Sequence, residues 1–156
     1  MSNFLRRVGG IVEHTHRPPR EELYLAICQL LRTQSTCNRG QVGALLVADK
    51  RIIATGYNGS FPGDDHCLVV GCDVDPDNPS GGCRRAIHAE ANVLAYAARH
   101  SGGALGATLY STHGPCLKCA QLIVAAGVAS VIYQVPYRLL DGVELLDRAS
   151  IPARLF

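Results

Sequence analysis

The second half of the sequence switches repeatedly between two hydrophobic periods, and this switching limits the fold more than any other feature. Helical spacing of apolar residues over 87–99, 117–126 and 137–149 alternates with short, almost unbroken apolar runs, "ATLYST" and "ASVIYQ", and a last short run in "IPARLF". A strand apolar on both sides must be covered on both faces, and strands joined through helices lie parallel in one sheet. The first half adds a helix and a hairpin. Behind Pro18 and Pro19, "REELYLAICQLLRTQ" sets Leu23, Ile27, Leu30 and Leu31 at helical spacing, which predicts a first helix with an apolar face built from them. "QVGALLVAD" and "KRIIATGYNGS" predict two strands joined by a tight turn at Asp49 and Lys50. The expected fold class is α/β, a three-layer α/β/α sandwich around a mixed five-stranded sheet, as a single domain over residues 1–156. Residues 1–17 carry no clear period and are expected to form a loose N-terminal arm, while 60–83, rich in Gly, Pro and Asp, are expected to form a long Cys-rich loop.

Composition narrows the partners. A chain of 156 residues that is 47% hydrophobic can bury one core, and with Trp absent and few Phe and Tyr that core is aliphatic, unlike an aromatic platform for nucleic acid. A formal net charge of +2 argues against a duplex or tRNA partner but leaves room for a local anion pocket. No stretch reaches the roughly 20 apolar residues of a membrane span, and "MSNFLRRVGGIVEHTHRPPR" has no continuous apolar segment of a secretion signal, so a cytoplasmic protein is expected. A reducing compartment does not favour a disulfide framework, so clustered members of the seven cysteines point to metal. Cys28, inside the apolar pattern of the first helix, is the exception.

Two stretches, "RRAIHAEANVLAYAA" and "STHGPCLKCAQLIVAAG", each place chemically active side chains at the head of an apolar helix. Neutral imidazole and thiolate are preferred zinc ligands, and a catalytic zinc keeps three protein ligands with one position open. His88, Cys116 and Cys119 supply that set. Sulfurs three residues apart on a first helical turn share one face and can hold a single ion, and Pro115 fixes the entry into that turn. Helix N-termini favour negative charge, which stabilises thiolates there. Two thiolates balance the charge of a divalent zinc, which can lower a water from pKa about 15.7 towards about 7. Glu90, two residues after His88, can reach the open side and is the candidate proton shuttle. The order H-x-E and then P-C-x-x-C is the signature of zinc nucleobase deaminases.

With these motifs in place, the sequence resembles the cytidine deaminase superfamily and, within it, the deoxycytidylate (dCMP) deaminases. The resemblance runs from about Tyr24 to Ala149 and rests on "STC", "VGALLV", "RIIATGYNGS", "HC", "IHAEANVL", "GATLYSTHGPCLKC" and "AGV". It implies hydrolytic deamination of dCMP to dUMP with release of ammonia, supplying dUMP for thymidylate synthesis. It further implies His88, Cys116 and Cys119 as zinc ligands, Glu90 as the shuttle, Asn58 of "GYNG" as a contact to the substrate sugar and Tyr137 as a neighbour of its phosphate. An amide suits a hydroxyl because it offers both donor and acceptor. Arg85, Arg39 and Arg138 are candidate phosphate partners because guanidinium grips phosphate at two points. By the same resemblance the chain is expected to form a homo-oligomer, a hexamer, with dCTP and dTTP as effectors. Alternatives that keep the chemistry are CMP, a modified dCMP, free cytidine or another nucleobase, and a different class is a non-catalytic zinc module.

The remaining cysteines suggest a second metal. Cys37 and the loop trio Cys67, Cys72 and Cys83 lie in a region with little apolar material of its own, and a structural zinc would order the loop by tying it to the end of the first helix. Some deaminases of the bacterial and phage dCMP type resemble the chain here and hold an additional structural zinc. His66 can substitute for any one sulfur, and reduced thiols without metal remain the alternative, since the C-x₄-C and C-x₁₀-C spacings are looser than C-x₂-C.

Overall fold

The computed structural model describes residues 17–74, 76–77 and 82–156, so the arm expected over 1–17 lies outside the described residues except for Arg17. Helix α1 (Arg20–Leu31) begins behind Pro19, carries Glu21 and Glu22 on its first turn where negative charge suits the helix dipole, and ends in a short 3₁₀ turn, Arg32–Gln34. Its buried face differs from the expected one. Tyr24, Leu25, Ala26 and Cys28 face inward, while Leu23 and Leu30 are 40% and 58% exposed. Small residues let the helix approach the sheet, and Tyr24 packs on Tyr110 at 5.0 Å while donating to the Lys50 carbonyl at 2.8 Å. Aliphatic spacing alone passes over those anchors.

Strands β1 (Gly43–Ala48) and β2 (Arg51–Tyr57) form the expected hairpin. Asp49 and Lys50 have φ of 49° and 64°, the left-handed pair that a two-residue turn needs to match strand twist. Next come β3 (Gly59–Ser60), α2 (Cys67–Val70) and β4 (Ala86–Ile87). They are followed by α3 (Ala89–His100), β5 (Thr108–His113), α4 (Leu117–Ala125), β6 (Ser130–Val135), α5 (Asp141–Arg148) and β7 (Ala153–Leu155). The main sheet has five strands in the order β2-β1-β5-β6-β7, with β1 antiparallel to both neighbours and β5, β6 and β7 parallel.

Neighbouring residues of a strand point to opposite faces. Leu46, Leu109 and Val131 therefore pack with Val93 and Ala97 of α3, Ile123 of α4 and Leu146 of α5, whereas Leu45, Tyr110 and Ile132 pack with Leu25 and Cys28 of α1. The result is the expected three-layer sandwich. Among the described residues no helix is long and apolar enough to cross a membrane.

The 60–83 segment is less irregular than its composition suggests. It holds the single turn α2, β3 pairs with β4, Val74 bridges to Cys83, and Arg85 and Arg84 bind Asp64 and Asp73 at 2.7 and 2.8 Å. Polar ties replace the missing apolar period. Ile87, read from its spacing as helical, belongs to β4 because the extended His88 (φ −71°, ψ 153°) separates it from α3.

α5 leans on the start of α4 through Gly142. A Cβ there would fall on the Pro115 carbonyl oxygen and 2.8 Å from the carbonyl carbon of Cys116. Gly142→Ala is expected to lower unfolding free energy by about 1–3 kcal/mol, the usual cost of overpacking, in a denaturant titration. Gly40→Ala, where a Cβ meets nothing within 4 Å, is the control expected to leave the midpoint nearly unchanged. Equal midpoints for the two variants would contradict this packing.

Candidate metal and active site

Two helix starts converge. His88 immediately precedes α3 and Cys116 immediately precedes α4, both with extended backbone, and Cys119 lies on the first turn of α4. Nδ1 of His88 is 3.5 Å from the Cys116 sulfur and 3.4 Å from that of Cys119. Zinc with tetrahedral bonds of about 2.3 Å to sulfur and 2.0–2.1 Å to nitrogen holds such atoms about 3.6 Å apart. The donor set therefore fits that ion in both chemistry and spacing, and the three donor atoms all lie within 4.8 Å of one another.

The charges are those of a site built for a cation. The Cys116 thiol is pulled down to about 3, first by the hydrogen bond from Cys119 and then by His88, against the opposing effect of burial. Cys119 is pushed up by the same bond and by burial, so the two sulfurs share one proton. His88 is raised, chiefly by its bond to Cys116, with burial opposing. Glu90 is 4% exposed, and burial pushes its carboxyl above the ordinary carboxylate range. Its Oε2 accepts from the Cys119 thiol at 3.7 Å. Without a metal the group is balanced by protons: the Cys116 thiolate pairs with the raised His88, while Glu90 and Cys119 are pushed towards their neutral forms.

The site opens into a cavity of about 320 Å³, lined by His88, Glu90 and Cys116 and, elsewhere on its wall, by Arg39, Tyr137 and Arg138. The Arg138 guanidinium lies 5.9 Å from the centre of the Tyr137 ring. Asn58 also lines the wall, but its amide is mostly committed. It is 7% exposed, its Oδ1 accepts from Ser35 at 2.8 Å and from the Val42 amide at 2.7 Å, and its Nδ2 donates to the Gly40 carbonyl at 2.8 Å. One N–H is left for a ligand, so Asn58 faces the cavity as a donor and holds the 40–42 segment in place.

Arg85 is different. It is not a wall residue of this cavity; its guanidinium binds Asp64 at 2.7 Å, inside the 60–83 segment. Proximity in sequence to His88 does not carry it into the site, because the ion pair with Asp64 holds its guanidinium to the loop. One titratable wall residue was missed by sequence reasoning. His113, at the end of β5, lines the cavity, and its signal was a histidine just before the "GPC" turn.

The second cysteine group also assembles. Cys67, Cys72 and Cys83 have sulfurs within 4.8 Å of one another, and the Cys67 and Cys83 sulfurs are 3.7 Å apart, close to the roughly 3.8 Å of two thiolates on one tetrahedral zinc. Cys83 lies below its ordinary pKa although burial raises it, because backbone hydrogen bonds at Arg85, Asp73 and Ala86 favour the thiolate. Burial, first, and the neighbouring Cys83 push Cys72 up to about 11. Cys37 is buried beside this group, close enough to act on Cys67 and Cys72 by charge, and its sulfur accepts from the Arg39 amide at 3.4 Å. It stands outside the tight trio, as does His66, which is exposed just before α2.

Known proteins resemble this chain. Residues 18–135 match the family described as the cytidine and deoxycytidylate deaminase zinc-binding region. The chain is 41% identical to ComE operon protein 2 of Bacillus subtilis over 131 residues, covering 83% of this chain and 67% of that protein. It is 40% identical to the deoxycytidylate deaminase of Mycobacterium phage D29 over 129 residues, covering 75% of this chain and 95% of that one. The dCMP deaminase of cyanophage S-TIM5, solved in complex with dCMP and dUMP, superposes with a TM-score of 0.77 at 32% identity, covering 90% of this chain and all of that one. A family match over residues 18–135, with a relative at 40% identity, places this chain in the cytidine and deoxycytidylate deaminase family.

Proposed function

We propose that this protein hydrolyses dCMP to dUMP and ammonia, with His88, Cys116 and Cys119 holding a zinc ion and Glu90 moving the protons. One observation carries the reading: the His88 imidazole meets both sulfurs within 3.5 Å beside a buried carboxyl, at one end of a cavity with arginines on its wall. The ion, when bound, supplies a Lewis acid that makes water acidic enough to attack at neutral pH.

Glu90 then has two proton transfers to perform. Its carboxylate takes a proton from the attacking water and gives it to N3 of the cytosine ring as the C4–O bond forms. It next carries the remaining hydroxyl proton to the amino group, which leaves C4 as ammonia, and the carboxylate is restored. Burial suits the task, because a carboxyl raised above its ordinary range accepts and returns protons more evenly near neutral pH. Arg39 and Arg138 give the cavity wall two cations for the phosphate, with the Tyr137 phenol beside them. The sulfurs of Cys67, Cys72 and Cys83, with Cys37 as the fourth ligand, hold a second, structural zinc that orders the 60–83 segment. To the same reading belong a homo-oligomer, hexameric by family likeness, with dCTP and dTTP as effectors, and a cytoplasmic location.

Glu90→Gln is expected to lower kcat for dCMP by about 10²–10⁴ while zinc content stays at the wild-type level, followed through loss of the cytosine absorbance. A Gln variant with wild-type turnover would exclude Glu90 as the shuttle, and a zinc-loaded wild type inert towards dCMP would exclude the activity. Elemental analysis should find about two zinc ions per chain, one for each cluster. Cys83→Ala is expected to lose one and keep the other, as is Cys116→Ala. A wild-type content of one would remove the second metal.

A further inference from the structure

One titratable side chain on the cavity wall has no part in the chemistry above. His113 ends β5 and pairs with Val135 of β6. Along its own chain and across its strand pairing it neighbours both groups of wall residues. Cys116 follows three residues later on its own chain, and Tyr137 and Arg138 follow two and three residues after its strand partner. Behind it, Thr112 binds the Gly43 amide, next to Val42, whose amide is held by Asn58.

Hydrogen bonding determines which ring nitrogen carries the proton. Thr112 is fully buried, and its hydroxyl oxygen lies 3.3 Å from the Gly43 amide nitrogen and 3.0 Å from Nδ1 of His113. The amide can only donate. The buried hydroxyl proton finds its acceptor in Nδ1, its one other partner among the described residues, and that satisfaction favours Nδ1 as the unprotonated nitrogen. The ring proton sits on Nε2, on the edge turned away from Thr112. Burial, with the positive charge of Arg32 adding to it, holds the imidazole below its ordinary pKa and so uncharged at neutral pH. His113 offers the cavity a neutral N–H.

We propose that His113 is a substrate-specificity residue, donating its Nε2–H to the 3′-oxygen of the substrate's deoxyribose. The inference rests on the nucleotide reading above. The reacting ring carbon must lie against His88, Cys116 and Glu90, and the phosphate against Arg39 and Arg138, so the middle of the cavity receives the pentose. In dCMP the 3′-hydroxyl is the pentose's free hydroxyl. Its oxygen can accept from both His113 and the remaining N–H of Asn58. Neither donor is charged, so together they select an oxygen acceptor without attracting the phosphate into the wrong position.

Steady-state kinetics with dCMP and its 3′-deoxy analogue, 2′,3′-dideoxycytidine 5′-monophosphate, test this on wild type, His113→Phe and His113→Gln, with zinc content measured for each. A lost neutral hydrogen bond corresponds to about threefold to tenfold. His113→Phe is expected to raise KM for dCMP by that factor while changing kcat less than about threefold, and His113→Gln, which keeps an N–H, to recover most of it. Wild type is expected to show at least that rise in KM with the analogue, which loses the Asn58 bond as well, and on the analogue His113→Phe has no further effect. That arm requires no variant to fold. An unchanged KM for dCMP in His113→Phe, an equal penalty on both substrates, or a wild type that does not distinguish them would overturn the assignment while the activity stands. Wild type holding zinc yet inert towards dCMP would instead overturn the activity, and the assignment with it.

Discussion

The contact of the His88 imidazole with the Cys116 and Cys119 sulfurs joins segments 28 and 31 residues apart, and most of the architecture around it serves to hold the two sides in place. Each side depends on a helix start. α3 packs through Val93 and Ala97 onto β1 and β2, and α4 packs through Ile123 onto the parallel half of the sheet. α5 closes over the Pro115–Cys116 peptide, where only a residue without Cβ fits at Gly142. A thiolate, a thiol, an imidazole and a buried carboxyl crowd together at the margin of an aliphatic core, and a divalent cation is the group that relieves them.

A common wall links the two sulfur clusters. Cys37 and Cys83 line the same cavity as His88 and Glu90, so the second group of cysteines also shapes that wall. Arg39, two residues after Cys37, lines that wall, and its amide donates to the Cys37 sulfur. A cavity-wall cation is thus tied through its backbone to a buried cysteine beside the second sulfur group. Arg85 takes part in the same ordering from the other side, through its ion pair with Asp64, and not through the cavity.

Much of this was legible in the residues. Strand and helix periods gave the sheet and its two covered faces because buried parallel strands and amphipathic helices leave unlike patterns. The H-x-E and P-C-x-x-C pairs gave the site because ligand chemistry permits few residue types at those spacings. What escaped had physical reasons. The inward face of α1 is made by Tyr24, Ala26 and Cys28, whose roles depend on partners far along the chain and not on local hydrophobicity. The fold of 60–83 comes from ion pairs and sulfur contacts, which have no period. His113 lies just past the "ATLYST" run, and nothing local shows that Thr112, itself bonded to Gly43, meets its ring. Asn58 was chosen as a sugar contact, yet three of its bonds go to the protein, a commitment set by the return of the 40–42 segment.

The central claim is a single ion between His88, Cys116 and Cys119. Anomalous diffraction from crystals of the zinc-loaded protein, recorded on both sides of the zinc absorption edge, tests it most directly. A peak is expected about 2.0–2.1 Å from Nδ1 of His88 and about 2.3 Å from each of the two sulfurs, with Glu90 beside its open side. Crystals with zinc bound elsewhere and no peak among those three side chains would contradict it.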